Sequence, residues 1–396
     1  MRYQPQPPKF HAANRRAFAH IMGDEAIAII DTADKFSRRG DSEYPYRPDS
    51  NFYYLTGIDE PEAVLVLVPG HANAATRELL FTSGTSDFVG RWEGGRHTAE
   101  SASQRSGIQT VLPLSELTVY LDRLLERYHT VYLNADDSLT SVMPHPALRR
   151  AHWLREKAPL HELKSALPAL DKLRSIKAPS EIKQIREAVA ITKRAISRAQ
   201  HIARPGLVEH EIEAEIMAEF IRSGATAAWP AIVAAGKNAT VIHYAANAAV
   251  IGRHDAILID TGAEYGYYAA DITRTFAVGG EFTPRQQQVY NVVLRAQTAG
   301  IAATKPGVSL SDIDAVMQEM LADGIKQLGL KGGLRDYYPH VSHHLGLDVH
   351  DTGSLRQPLE PGAVITCEPG LYLPEEGIGV RIEDDVLVTK TAHEVL

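Results

Sequence analysis

Apolar residues recur at helical spacing in several stretches of the chain. Ile182, Ile185, Val189, Ile191 and Ile196 follow Pro179-Ser180-Glu181, a sequence that reads as a helix start. Similar patterns predict helices over 208–223, 284–304 and 310–328. Earlier, short apolar runs at 26–30, 63–68 and 131–133 predict buried strands, which alternate with helix-like stretches such as 114–128. The first third therefore reads as α/β. The segment 166–180 carries Pro168, Lys177 and Pro179, and a domain boundary is expected near Asp171. This divides the chain into 1–171 and 172–396. In the second part, helices cluster apart from short strands with Gly- and Pro-bearing turns, so its expected class is α+β.

A length of 396 residues, 44% hydrophobic and 23% charged, suits two core-forming domains. The formal net charge of -8 argues against nucleic acid or an anionic membrane as main partner, because those surfaces select for excess Lys and Arg. Cys367 is the single cysteine, so neither an internal disulfide nor a thiolate metal site is expected. No stretch of about 18 apolar residues is present, and Met1-Arg2-Tyr3-Gln4-Pro5-Gln6-Pro7-Pro8 lacks a signal-peptide core. The expected location is cytoplasmic.

Acidic residues at strand ends carry the candidate chemistry. The apolar run 256–259 leads into Asp260, a glycine-bearing bend follows, and a second strand delivers Asp271. Strand–turn–strand geometry brings two such ends together. Two bare carboxylates there would repel until one protonated, and a divalent cation removes that penalty. The alternative is an exposed hairpin with solvated acids. Glu368 ends the apolar run 364–367 and should point inward, where it needs a cation or a tight hydrogen-bond partner. Glu383 alternates with Arg381, which places both on one face of a strand. A plain Arg381–Glu383 ion pair on a sheet surface is the competing explanation. His340, His343, His344 and His350 put four of the chain's 17 histidines within eleven residues, a density that marks metal or proton chemistry. Four carboxylates and one imidazole make an oxygen-rich set that balances two divalent ions and suits Mn²⁺. Two ions about 3.5–4 Å apart can activate a bridging water and clamp a tetrahedral oxyanion.

These segments resemble the pita-bread metallopeptidases, and the aminopeptidase P family most closely. The resemblance covers nearly the whole chain, from Asn51-Phe52-Tyr53-Tyr54-Leu55-Thr56-Gly57 and Glu60-Pro61-Glu62-Ala63 to the blocks around Asp260, Asp271, His350, Glu368 and Glu383. It implies a pita-bread catalytic domain behind a smaller α/β domain of oligomerisation and site capping. It also implies two divalent ions per subunit, with Mn²⁺ preferred and Co²⁺ or Zn²⁺ as alternatives. By that resemblance Asp260 and Asp271 hold one ion, while Asp271, His343 and Glu368 hold the other. Glu383 bridges the pair. By the same resemblance His243 is an active-site histidine and His350 orients substrate, and in the reaction expected of such a site Glu368 also relays a proton to the leaving imino nitrogen. Arg381 anchors a supporting network, Tyr372 and His340 contact substrate, and Trp92 reaches a neighbouring subunit's site in a homo-dimer or homo-tetramer. One departure is that Pro339 stands where the family has a histidine, with His340 one position later. The chain also ends soon after Glu383, where relatives often continue.

The implied substrates are peptides with proline in second position. Proline forms a tertiary amide without a backbone N–H, so peptidases that need that donor fail on it. Only the trans Xaa-Pro isomer should fit a rigid site. A prolidase, acting on dipeptides alone, would need a cation for the free proline carboxylate, yet Leu373-Pro374-Glu375-Glu376-Gly377 supplies two acids and no Arg. A non-catalytic binding module of the same fold is the rival from another class.

Overall fold

A computed structural model of the protein describes residues 3–84, 87–92, 94–135, 145–337 and 342–396. Its contacts divide into two compact units, one spanning Pro5–Leu173 and the other containing Arg174–Leu396. The helix Leu167–Ser175 runs across the position where the sequence suggested a boundary. Pro168 is tolerated there because it lies in the first helical turn, where its missing N–H has no intrahelical acceptor.

The N-terminal unit is built on a six-stranded mixed sheet. Its order is Thr110–Pro113, Glu78–Thr82, Ala63–Leu67, Ala26–Asp31, Thr130–Leu133 and Glu162–Ser165. Central strands Ala26–Asp31 and Ala63–Leu67 are buried throughout, which is why they read as unbroken apolar runs. Ile27, Ile29, Val66, Phe81, Leu121 and Val131 meet in its core. The predicted helix at 114–128 is a single 3₁₀ turn, Leu114–Glu116, followed by the helix Leu117–Leu125.

One helix of this unit, Pro8–Met22, escapes the sequence reading because its buried face is partly polar. Arg15 is fully buried, donates to the carbonyls of Leu55 (2.7 Å) and Ser106 (3.0 Å), and pairs with Glu78 at 2.9 Å. His11 is equally buried, with Nδ1 3.1 Å from the Tyr54 carbonyl. Burial holds its pKa down to about 3. An imidazole kept neutral inside the fold but free to protonate when unfolded withdraws stability as pH falls from its unfolded value towards about 3. The urea midpoint should therefore drop through that window, and in His11→Gln the slope should weaken by about one proton. An unchanged slope would mean that His11 protonates in place.

In the C-terminal unit, helix Pro179–Ile202 packs on Glu209–Arg222, and Pro284–Ala303 packs on Leu310–Gln327. The starts are written locally. Thr283 and Gln286 cap each other reciprocally, and Ser309 with Asp312 does the same. Between the helix pairs lie short antiparallel sheets. Ile232–Ala235, Ala256–Thr261 and Ile272–Ala277 form one, and Val364–Cys367, Asp384–Val388 and His393–Val395 another. Gly370–Leu373 and Ile378–Arg381 make a two-stranded hairpin. The unit is α+β. Among the described residues, no helix is long and apolar enough to cross a membrane.

Candidate metal centre

Asp260 lies near the end of the buried strand Ala256–Thr261, opposite Thr273 of Ile272–Ala277. Asp271 immediately precedes that second strand. The chain between them is a further small hairpin, Ala263–Tyr265 against Tyr268–Ala269. Its two turn residues, Gly266 and Tyr267, both have positive φ (60° and 70°), as a two-residue type I′ connection requires. The acids thus sit on adjacent strand ends with the hairpin projecting beyond them. Gly262 is needed at its base, because a Cβ there would overlap the Ala270 carbonyl and lie 2.7 Å from the Trp229 ring. Gly262→Ala should push Asp271 out of place, cutting kcat at least tenfold and destabilising by ~1–3 kcal/mol. Wild-type kinetics and melting in that variant would contradict this packing.

Glu368 follows the strand Val364–Cys367 directly, and Glu383 occupies the break between Ile378–Arg381 and Asp384–Val388. Threonines lock these pieces together. The Thr273 hydroxyl donates to Glu383 Oε2 at 2.7 Å, and the Glu383 N–H donates to the Thr273 carbonyl at 3.1 Å. Thr275, two positions on and on the same strand face, donates to the Arg381 carbonyl at 2.9 Å. The His343 N–H donates to Thr366 Oγ1 (3.1 Å), which in turn donates to Glu368 Oε1 (3.0 Å).

His343 Nδ1 lies 2.9 Å from the His344 carbonyl, to which its N–H donates, so that Nε2 is the ring nitrogen turned to the acids. Nε2 faces Asp271 Oδ2 at 3.4 Å and Glu368 Oε1 at 3.3 Å. His344 turns away, its Nε2 3.3 Å from the Ser354 carbonyl. Ligand atoms of Asp271, His343 and Glu383 all lie within 4.8 Å of one another. Asp260, Asp271, Glu368 and Glu383 are each at most 8% exposed. Burial drives the Asp271 and Glu383 carboxyls well above the usual range, and neighbouring carboxylates add to it. Burial also raises Asp260, against the opposing pull of Arg381. One Asp260 oxygen, Oδ1, is buried with no hydrogen-bond partner among the described residues. A buried cluster of four acids, one of them with an oxygen unpartnered among the described residues, and an imidazole nitrogen turned to them is a donor set that fits divalent cations.

Arg381 does not pair with Glu383. Its guanidinium binds Asp260, the Thr273 hydroxyl (3.0 Å) and the Tyr372 hydroxyl (2.7 Å). Tyr372 is buried behind it and does not line the cavity. That cavity, about 570 Å³ in volume, is lined by the four acids and the His343 imidazole together with Arg381. His243 and His350 also line it, beside apolar Trp229, Pro230, Ile232 and Val349. The His350 ring lies 4.4 Å from that of His343, edge to face. Pro339 and His340 lie outside the described residues. In the N-terminal unit, Trp92 ends the helix Asp87–Trp92 and is 71% exposed, so it is not a core residue.

Trp229, Thr273 and Thr366 were not singled out from the sequence. The threonines had a usable signal, since each stands two residues from a candidate acid on an extended strand and so shares its face. Trp229 had none beyond its place before the apolar run 231–235.

Residues 183–390 match metallopeptidase family M24. The chain belongs to that family. Residues 11–132 match the aminopeptidase P N-terminal domain, so this M24 metallopeptidase has the pita-bread domain behind an aminopeptidase P-type N-terminal domain. It is 37% identical over 96% of its length to Xaa-Pro aminopeptidase of Escherichia coli, covering 92% of that protein. Among solved structures it resembles proline aminopeptidase P II from Yersinia pestis, with TM-score 0.88, 34% identity and coverage of 98% and 96% of the two chains. It also resembles Escherichia coli aminopeptidase P with the inhibitor Pro-Leu, with TM-score 0.90, 33% identity and coverage of 99% and 95%. Divalent-metal binding comes with membership of this M24 family, and the donor set described above suits it.

Proposed function

We propose that this M24 metallopeptidase is an Xaa-Pro aminopeptidase that removes the first residue from peptides with proline in second position. The observation that carries this reading is the convergence of Asp260, Asp271, His343, Glu368 and Glu383 in one buried cluster at the wall of a cavity. These five would hold two divalent ions, Mn²⁺ first among them, with Co²⁺ and Zn²⁺ as alternatives. When bound, the ions supply Lewis acidity and lower the pKa of a water.

The chain's own groups do the rest. Glu368, oriented by the Thr366 hydroxyl, is placed to carry a proton to the leaving imino nitrogen. Arg381 fixes Asp260 and is itself fixed by Tyr372, so its part is to keep a ligand oxygen aimed. His350 and His243 face the cavity, where each can hydrogen-bond the peptide. Trp229, Pro230, Ile232 and Val349 give it an apolar wall suited to a pyrrolidine ring and keep water from the reacting bond. His340 remains a candidate substrate contact. Trp92, exposed on the N-terminal unit, supports a homo-oligomer, dimer or tetramer, in which that unit caps a neighbour's site. The domain division at 171/172 and action in the cytoplasm, which suits the one buried thiol of Cys367, complete the reading.

A dipeptidase needs a free cation for the proline carboxylate. Among the described residues lining the cavity, Arg381 is the one Arg or Lys, and Asp260 occupies it. At the 374–377 turn, Arg285 forks onto Glu376 at 2.7 and 2.8 Å. Longer peptides are therefore favoured. With Mn²⁺ present, an Xaa-Pro-Xaa tripeptide should be hydrolysed with kcat/KM at least tenfold above that of the matching Xaa-Pro dipeptide, a margin of about 1.4 kcal/mol. Preference for the dipeptide would make the protein a prolidase. Full metal loading with no cleavage of either would leave a binding module.

A further inference from the structure

The segment that carries His243 has no regular structure between the 3₁₀ turn Gly236–Thr240 and the strand Ala256–Thr261, and much of it is exposed. Among the described residues, no hydrogen bond fixes the His243 ring, so its position is inherited from the backbone around it. That backbone is tied to one side chain. Glu209, the first residue of the helix Glu209–Arg222, is completely buried. Its Oε1 accepts the Ala235 N–H at 2.8 Å and the Asn238 amide at 2.9 Å. Its Oε2 accepts the Tyr244 hydroxyl at 2.8 Å and the Ala249 N–H at 2.9 Å. The Glu209 N–H donates to the Ala249 carbonyl at 3.1 Å, closing the loop. One carboxylate therefore gathers both ends of the segment 235–249 and the residue beside His243.

One turn along the same helix face, Glu213 repeats the arrangement more weakly. It accepts from Asn247 at 2.9 Å, and Asn247 in turn accepts the Val233 N–H at 3.0 Å and donates to the Ala231 carbonyl at 2.8 Å. Glu213 holds one point of the loop, Glu209 four. A buried carboxylate is tolerated when its lone pairs are met by donors, and here they are.

We infer that Glu209 is a positioning residue that sets His243 at the cavity wall by clamping the loop that bears it. The kinetic part of this inference rests on the peptidase reading above; the structural part does not. Glutamine is the informative replacement. In either orientation its NH₂ must face one of the two backbone N–H groups, of Ala235 or of Ala249, so one tie becomes a repulsion while size is kept.

The test compares wild type, E209Q, Y244F, H243A and the E209Q/H243A double variant. In E209Q, hydrogen exchange should quicken across 236–249 while the ligand-bearing stretches 256–276 and 364–388 keep wild-type protection. On an Xaa-Pro tripeptide, kcat/KM of E209Q should fall by up to about a hundredfold, the loss expected for a catalytic group displaced by about an ångström. That loss should divide between kcat and KM as it does in H243A, and E209Q should cost nothing further in the H243A background. Should E209Q fail to fold, Y244F, which removes only one tie, is read by the same measures. Unchanged exchange in the variant that folds, or losses that multiply in the double variant, would overturn the inference. If the wild type cleaves no Xaa-Pro peptide, the peptidase reading falls and exchange alone decides the clamp.

Discussion

Replacing Glu368 by Gln should lower kcat on an Xaa-Pro tripeptide by more than about a thousandfold, within the range assigned to a general acid–base group. The amide can still accept the Thr366 hydroxyl, which lies 3.0 Å from Oε1 in the native side chain, so the strand end should keep its shape. What it cannot do is take a proton and release it. Metal content is measured on the same sample, because Glu368 also faces His343 Nε2 at 3.3 Å and is a proposed ligand. A metal-loaded Glu368→Gln enzyme with near-normal kcat would remove Glu368 from the chemistry.

The second large effect is a trade between function and stability at Asp271. Burial, with the Asp260 and Glu368 carboxylates beside it, holds its pKa well above the usual carboxylate range, and Glu383 is raised in the same way. Acids whose folded pKa exceeds the unfolded value contribute stability that is complete below the unfolded pKa. It is lost as pH rises through the folded one. Chelated protein should therefore melt several degrees lower at about pH 8 than at about pH 5, while metal-loaded protein, whose charge is balanced by cations, should change far less. Asp271→Asn should lose metal and reduce kcat by more than about a thousandfold. After chelation at the higher pH, however, it should melt above chelated wild type, because one buried charge is gone. Equal melting temperatures for the two chelated proteins would mean that these acids are not held close together without metal.

Much of the catalytic unit could be read in advance because its signals are local. Helices at 179–202, 209–222, 284–303 and 310–327 carry their own periodicity, prolines and capping pairs. Asp260 and Glu368 show themselves as acids closing apolar runs, a pattern open to either a solvated hairpin or a buried charge site until the separate blocks are taken together. In the N-terminal unit the same approach found the central strands but missed Pro8–Met22. There, Arg15, His11 and Asn14 occupy the buried face, and their burial depends on carbonyls some forty residues away.

The partners of the site residues belong to a different level. Arg381 and Glu383 alternate along the chain, and alternation alone suggested that they pair with each other. In the folded protein Arg381 reaches Asp260 and Glu383 takes its hydrogen bond from Thr273, 110 positions away in sequence. Those choices follow from the register between hairpins that approach one another only when the helices pack behind them, and residue order along a strand carries no record of that register. The same holds for Trp229 on the cavity wall and for Glu209 beneath the His243 loop. Residue types and strand ends thus announced a cluster of acids with an imidazole, while the pairing within it, and what holds its surroundings still, arose from packing between distant segments.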